Sequence, residues 1–363
     1  MYYVPTHLKG MNRRLVYDAL ARAGEISRAE LARVTGISAP TVGKIVLFFV
    51  ERGIVSEIGT GASEMGRKPK LLRFNADAYF TVGVDFEGGY LKIGIVDLLG
   101  NIKSFEQIPV KASFDELMAE KLAASIGDRL RAAGIAADRI WGVGIGIPGV
   151  VDVERRTINV APLIGVAEER SYGPALDRLE RQLGLPVFFE NDANAAAIGE
   201  YHLRRDHGEA DLVYLSIGTG VGGGIILEGQ LRKGLRSSAG EVGYMIFDRS
   251  ASSHRSRAGW LERRISHSGF LASKGSDDFV ASAAADLGLV ITNLALVLDI
   301  NLFVIGGSGV ADYGENFLER VTAQIRQYTD LELRIEAPQA AEPAVIGAGA
   351  LVVDNMLGDK MQE

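Results

Sequence analysis

The chain of 363 residues has no cysteine, which excludes disulfides and any metal site built on thiolates. It also lacks the marks of export. No N-terminal stretch joins a basic start to a long apolar run and a small-residue cleavage site. The most apolar late segment, Asn293 to Gly306, is interrupted by Asp299 and Asn301. These absences point to a cytoplasmic protein with no membrane partner. An excess of positive charge is missing too. The net charge of −7 would argue against a nucleic-acid partner if it were spread evenly.

The charge is not spread evenly. Residues 1–75 hold twelve Lys and Arg against six Asp and Glu, a net +6 that leaves −13 for the remainder. A basic head on an acidic body suits a polyanion-binding module joined to a part that must not bind the polyanion. With 47% apolar residues the chain can bury a large core, and its length points to two or three domains.

Within the head, Leu15, Val16, Leu20 and Ala21 recur near helical spacing over residues 12–23, and Gly24 ends that helix. Ser27 with Glu30 reads as a capping box opening a second helix from Arg28 to Val34. Thr35-Gly36-Ile37 supplies a turn, and Ser38 is the expected N-cap of a third helix with Pro40 in its first turn. Ala32, Gly36 and Val42 fall where a helix-turn-helix needs a small crossing residue, a left-handed turn and an apolar anchor. Ser38, Thr41 and Lys44 would then present the recognition helix to the major groove, with Gly43 allowing close approach. A plain three-helix bundle is the alternative. Two β-like runs, Ile54 to Ile58 and Leu71 to Phe74, flank Gly66-Arg67-Lys68-Pro69-Lys70. This reads as a wing in which Arg67, Lys68 and Lys70 contact phosphates or the minor groove. An interdomain linker is the plainer alternative.

From Tyr79 the texture becomes strand, turn, strand, helix. Runs Phe80 to Asp85 and Leu91 to Asp97 precede a helical stretch from about Phe114 to Ala133, and Trp141 to Pro148 begins a second unit. A run that resembles a phosphate loop follows at Leu215 to Gly224, although a hairpin needs glycines as well.

Four motifs then occur in order: Gly144-Ile-Gly-Ile-Pro-Gly149, Glu190-Asn191-Asp192-Ala193-Asn194, the Gly218 loop and Gly240-Glu241-Val242-Gly243. With the helix-turn-helix, this arrangement resembles the ROK family (repressor, open reading frame, kinase) from about residue 10 to 355. The resemblance implies a two-lobed α/β actin-like ATPase fold of the ROK sugar-kinase type behind an N-terminal winged helix-turn-helix. The expected division is 1–75 for the head, 76–192 plus 344–363 for the first lobe, and 193–343 for the second lobe with the ligand cleft and dimerisation surface. The branch bearing such a head consists largely of repressors of carbohydrate genes. By the same resemblance Asp192 matches the general base of the family's kinases, here a vestigial one. Asn191, Asp192, Glu241, Tyr244, Glu262 and Gly149 match ligand-binding positions. Carboxylates and an amide suit sugar hydroxyls, since they accept from several O–H donors. For Asp192 taken alone, a helix N-cap is the plainer role.

The phosphate side departs from the family. Its kinases read Asp-x-Gly-Gly-Thr where this chain runs on from Asp85, so that Glu87 falls at the first glycine and Gly89 at the threonine. Like charges a few ångströms apart repel by on the order of a few kcal/mol, so ATP binding is expected to be weak or absent. Asp85 and Gly88 in the first hairpin, with Gly218, Thr219 and Gly220 in the second, are then vestigial phosphate loops. The family's structural zinc is also unexpected. Tyr244 stands at its histidine, and Ser253, Arg255 and Trp260 at its cysteines, with Trp260 a candidate packing residue instead. Losing that histidine also argues against unmodified glucose as the effector. The expected partners are an operator with inverted repeats, a sugar-like effector and further copies of the chain, as homodimer or homotetramer. An active ATP-dependent sugar kinase with a DNA-binding extension is the competing function.

Overall fold

A computed structural model describes residues 5–60, 70–87, 89–110, 114–116, 118, 121–159, 164–166, 168–204, 210–249 and 258–360. The head begins with α1 (Pro5–Ala23), β1 (Glu25–Ser27), α2 (Arg28–Thr35) and α3 (Ala39–Glu51), and ends with β2 (Val55–Thr60) and β3 (Lys70–Phe74). Ser27 Oγ accepts from the Glu30 N–H at 3.2 Å and so starts α2. The other half of the expected capping box does not form, because the Glu30 carboxylate pairs with Arg33 at 3.0 Å. Gly36 takes φ 67° at the turn, the left-handed conformation that glycine adopts without steric cost.

Three details of the head differ from the sequence pattern. Helix α1 starts seven residues earlier than its apolar stripe, at Pro5. Ser38 makes no side-chain cap bond; its hydroxyl lies 2.9 Å from that of Thr41. The wing hairpin gains a third strand, since β1 pairs antiparallel with β3. Arg67 and Lys68 lie outside the described residues.

The body holds two five-stranded sheets. In the first lobe β4 (Phe80–Glu87), β5 (Tyr90–Asp97) and β6 (Ile102–Pro109) form a meander. The one-turn α4 (Phe114–Glu116) and α5 (Leu122–Ala133) follow, then β7 (Ile140–Ile147), which lies parallel to β4. A small sheet of β8 (Val150–Asp152), β9 (Thr157–Asn159) and β10 (Arg170–Ser171) precedes α6 (Gly173–Leu183) and β11 (Val187–Asn191). The completed order is β11-β7-β4-β5-β6. Helix α7 (Asp192–Arg204) leads into the second lobe, with β12 (Leu212–Ile217), β13 (Val221–Leu227), β14 (Gln230–Leu231), α8 (Trp260–Ile265), α9 (His267–Ala272), α10 (Asp277–Leu298), β15 (Leu302–Gly306), α11 (Phe317–Tyr328) and β16 (Arg334–Glu336). Its sheet runs β14-β13-β12-β15-β16. Helix α12 (Pro343–Asn355) returns to the first lobe.

The run from Leu215 to Gly224 is a hairpin and not a loop ahead of a helix. Strands β12 and β13 pair antiparallel from Leu212↔Ile226 to Ile217↔Val221, with Gly218 to Gly220 as the turn. Its later glycines serve packing: a Cβ at Gly224 would lie 2.4 Å from that of Ala197 in α7. Among the described residues one helix, α10, is long and apolar enough to cross a membrane. Its buried face, including Val280, Leu287 and Ile291, belongs to the core of the second lobe.

Helix α12 links α7 to the head. A Cβ at Gly347 would lie 1.7 Å from the carbonyl oxygen of Ala195, so bare glycine lets α12 and α7 touch backbone to backbone. At its other end Val352 and Val353, with Leu357 just beyond, join one buried cluster with Val16, Tyr17, Leu20 and Phe49 of the head. Tyr17 donates to the Leu98 carbonyl at 2.6 Å across this joint, and Arg14 pairs with Asp354. Head and first lobe therefore share a core.

Candidate functional site

Two arrangements carry the chemistry. The first is the exposed end of α3, which α1 and α2 hold through Leu31, Val42, Ile45 and Val46, all buried. Ser38 and Lys44 are exposed and Thr41 is half-buried. Part of the head's positive charge is neutralised within it. Lys70 lies 2.5 Å from Glu57, which also takes Arg28 at 2.6 Å, while Arg73 pairs with Glu25 at 2.6 Å. Hydrogen bonds from Lys70 and then Arg28 hold the Glu57 carboxyl below its ordinary pKa. A phosphate approaching Lys70 competes with that carboxylate.

The second arrangement lies where the two lobes meet. Parallel strands β7 and β11 end side by side, which puts Gly149, Asn191 and Asp192 together. The Asn191 amide donates to the Gly149 carbonyl at 2.9 Å and to Asp192 Oδ1 at 3.0 Å. Asn191 Oδ1 accepts from the Asn194 N–H at 2.9 Å, so Asn191 rather than Asp192 caps α7. Asp192 Oδ1 accepts from the Ala193 N–H at 2.8 Å. Burial is the main cause that raises the Asp192 pKa to about 6, with the negative Glu87 adding to it.

Around the start of β13 the structure gathers the other expected ligand positions. Glu241 stands at the position before the short 3-10 turn Val242–Tyr244 without a side-chain capping bond, and a Cβ at Gly243 would meet Glu262 at 3.4 Å. Burial raises the Glu262 pKa, against a backbone hydrogen bond from Val221. A Cβ at Gly220 would lie 3.6 Å from Glu262, and one at Gly222 would lie 3.4 Å from that of Ala193. The three residues 220–222 thus touch the Glu262 group and the Asp192 helix at once.

On the phosphate side Glu87 is held by groups that no local pattern announces. Its Oε1 accepts from the Ser308 N–H at 2.6 Å and its Oε2 from Lys92 at 2.8 Å, while Lys92 also reaches Glu342 at 2.8 Å. Burial raises the Glu87 pKa, but Lys92 and Ser308 outweigh it and hold the carboxyl below its ordinary value. Asp85 is 3% exposed and its Oδ1 has no hydrogen-bond partner. Burial first, then Glu87 and Asp192, push its pKa well up. A Cβ at Gly218 would meet Glu87 Oε1 at 3.6 Å and Ser308 Oγ at 3.3 Å, so the second hairpin closes on the same carboxylate. Thr219 offers its carbonyl to the Ser268 hydroxyl at 3.4 Å. Gly88 lies outside the described residues.

The sequence reading also missed Lys233, which reaches from beyond β14 to Glu190 at 2.6 Å. Glu190 is buried and accepts from the Asn191 N–H and the Asn194 amide, both at 3.0 Å, so it fixes the residues beside the cleft. Its place in the Glu-Asn-Asp motif was the one available signal. Of the segment that replaces the zinc ligands, Ser253, His254 and Arg255 lie outside the described residues. Trp260 is half-buried, with its ring 5.8 Å from that of Phe247 and under the Arg264 guanidinium.

Comparison with known proteins identifies the family of each part of the chain. Residues 81–277 match the ROK family, and residues 12–56 match a winged helix-turn-helix DNA-binding family. A xylose repressor of Caldicellulosiruptor bescii is 26% identical over 97% of this chain and 98% of its own length. Among solved structures, a ROK family transcriptional regulator described as a homologue of the E. coli MLC protein superposes with a TM-score of 0.78 at 22% identity, over 97% of both chains. A ROK glucokinase from Streptomyces griseus, in complex with glucose and AMPPNP, gives a TM-score of 0.62 at 28% identity over 75% of this chain and 98% of its own.

Proposed function

The chain belongs to the ROK family, and from that premise we propose that it is a DNA-binding transcriptional regulator, a repressor of carbohydrate genes, without kinase activity. In this reading residues 1–75 bind DNA, and the lobes 76–192 plus 344–363 and 193–343 bind a sugar or sugar derivative between them. The observation that carries it is the continuous core between the winged helix-turn-helix and α12, because a head packed so firmly on the body can respond to the body's ligand. The relationship to a xylose repressor over nearly its whole length supports the same reading.

Asn191, Asp192, Glu241, Tyr244, Glu262 and Gly149 supply the sugar side. A ligand hydroxyl donating to Asp192 acts at the first residue of α7, and α7 bears on α12 at Gly347 and Ala195. A small tilt of α7 is passed to a rod whose far end lies in the head's core. In a homodimer or homotetramer this changes the spacing of two recognition helices, which suits an inverted repeat with half-sites about one helical turn apart. In this reading the protein works in the cytoplasm. The test is binding to its own upstream region. Sequence-specific, salt-dependent affinity altered by one member of a panel of sugars, polyols and sugar phosphates is expected; affinity equal to that for scrambled DNA refutes the reading.

One observation favours a second reading, an active sugar kinase: Asp192 keeps a pKa of about 6, suited to a general base. Sugar-dependent ATP turnover that disappears in Asp192→Asn would establish it.

A further inference from the structure

We propose that Glu87 is a tethered anion: its carboxylate takes the place of a bound phosphate oxyanion and fastens the two lobes together without any nucleotide. The inference concerns the Glu87 site alone and stands whether or not the head binds DNA.

The donors around Glu87 form a cradle suited to an oxyanion. The Ser308 N–H comes from the second lobe, just after β15, and the Lys92 ammonium comes from β5 of the first. The Gly218 turn closes the third side without a side chain of its own. Backbone N–H groups beside glycines and a lysine are the donors that hold phosphate oxygens in proteins generally. Here each carboxylate oxygen of Glu87 occupies one donor. Lys92 and Glu87 are 12% and 21% exposed, so the bond between them is partly withdrawn from water, where charge-assisted bonds strengthen, while the bond from Ser308 lies at the exposed rim of the same site.

The bond from Ser308 to Glu87 joins residues 221 positions apart and crosses from lobe to lobe. Lys233 to Glu190 makes a second crossing, beside Asn191 and Asp192. A free phosphate at the Glu87 cradle would bind and leave; a side chain rooted in β4 stays. The ligand side then works on a body whose other edge is held by these bonds. Glu342 ties the same lysine to the residue before α12, so the fastening also reaches the element that enters the head.

Substitution Glu87→Gly vacates the cradle and leaves its donors in place. The readouts are amide hydrogen exchange at Ser308 and calorimetric titration with inorganic pyrophosphate, on the full chain. In the native protein the Ser308 amide is expected to be protected and pyrophosphate not to bind. In Glu87→Gly the amide exchanges faster, pyrophosphate binds at least about tenfold more tightly than to the native protein, and its binding restores protection. Adding Lys92→Met to that variant abolishes the gain. Glu87→Ala vacates the same space without added backbone freedom and carries the same expectation, so a glycine variant that fails to fold leaves the inference testable. A native Ser308 amide that exchanges freely overturns the proposal. So does equal pyrophosphate binding by native and variant proteins, or a variant whose amide pyrophosphate does not protect.

Discussion

Replacing Tyr17 by Phe removes one oxygen from the joint between head and body. The side chain is fully buried, and its hydroxyl donates to the Leu98 carbonyl at 2.6 Å. The ring packs edge-on against Phe74 and Phe49, with centroids 5.2 and 6.3 Å away. Phenylalanine keeps those contacts, so the loss falls on the hydroxyl, whose bond to the Leu98 carbonyl disappears. Losing the bond costs about 1 kcal/mol net, and leaving a buried carbonyl without its donor raises the total to about 1–3 kcal/mol. Urea titration followed by Trp141 fluorescence reads this region, because Trp141 belongs to the same cluster and stacks on Tyr79 at 4.9 Å. Trp260 is replaced by Phe in all samples to leave a single reporter. Tyr313→Phe is the control. It removes a comparable bond, to the Ile265 carbonyl at 2.5 Å, inside the second lobe. Tyr17→Phe is expected to lower the Trp141 transition and to weaken ligand control of DNA binding, and Tyr313→Phe to leave that control intact. A stability change below about 0.5 kcal/mol for Tyr17→Phe, the range of ordinary surface substitutions, would refute the view that this bond helps hold the head to the body.

Three further outcomes are expected. The Asp192 carboxyl, with its pKa raised to about 6, protonates in the folded protein before the usual carboxylate range is reached; if the sugar hydroxyl donates to the ionised form, affinity falls as pH drops below about 6 and is retained above it. Isothermal titration across that range checks this, and Asp192→Asn should bind weakly with a flat profile. Lys44→Ala should cost about 1–3 kcal/mol on operator DNA in gel-shift titrations and narrow the gap to scrambled DNA; an equal loss on both would assign Lys44 to phosphate contact instead. Gly347→Ala places a Cβ 1.7 Å from the Ala195 carbonyl oxygen, so α12 must leave α7; the expected cost exceeds about 3 kcal/mol, and a melting temperature within about 2 °C of the native value would contradict the close packing.

What could be read from the sequence divides by distance along the chain. The α2-turn-α3 unit was legible because its determinants are local: Ser27 caps, Gly36 turns and Pro40 fits the first turn of α3. Strand β1 was not, since three residues between two helices acquire strand geometry only by pairing with β3, some 45 residues later. The early start of α1 escaped for a related reason. Leu8 and Met11 are 46% and 44% exposed and add nothing to the apolar stripe, while Gly10 lies against the C-terminal turn at Gly358. The phosphate side is the sharpest case. Glu87 stood out from the motif, and its charge was judged by what it repels. What it attracts was hidden, although Lys92 is only five positions away. The β4–β5 pairing sets Lys92 opposite Asp85, and from there its ammonium reaches Glu87, with Glu342 on its other side. Ser308 and Glu342 come from the far end of the chain, and only the closing of the two lobes and the return of α12 bring them to the site. The motif thus identified which residue had changed. The tertiary contacts show why a carboxylate is held there: the Ser308 N–H and the Lys92 ammonium both point at it.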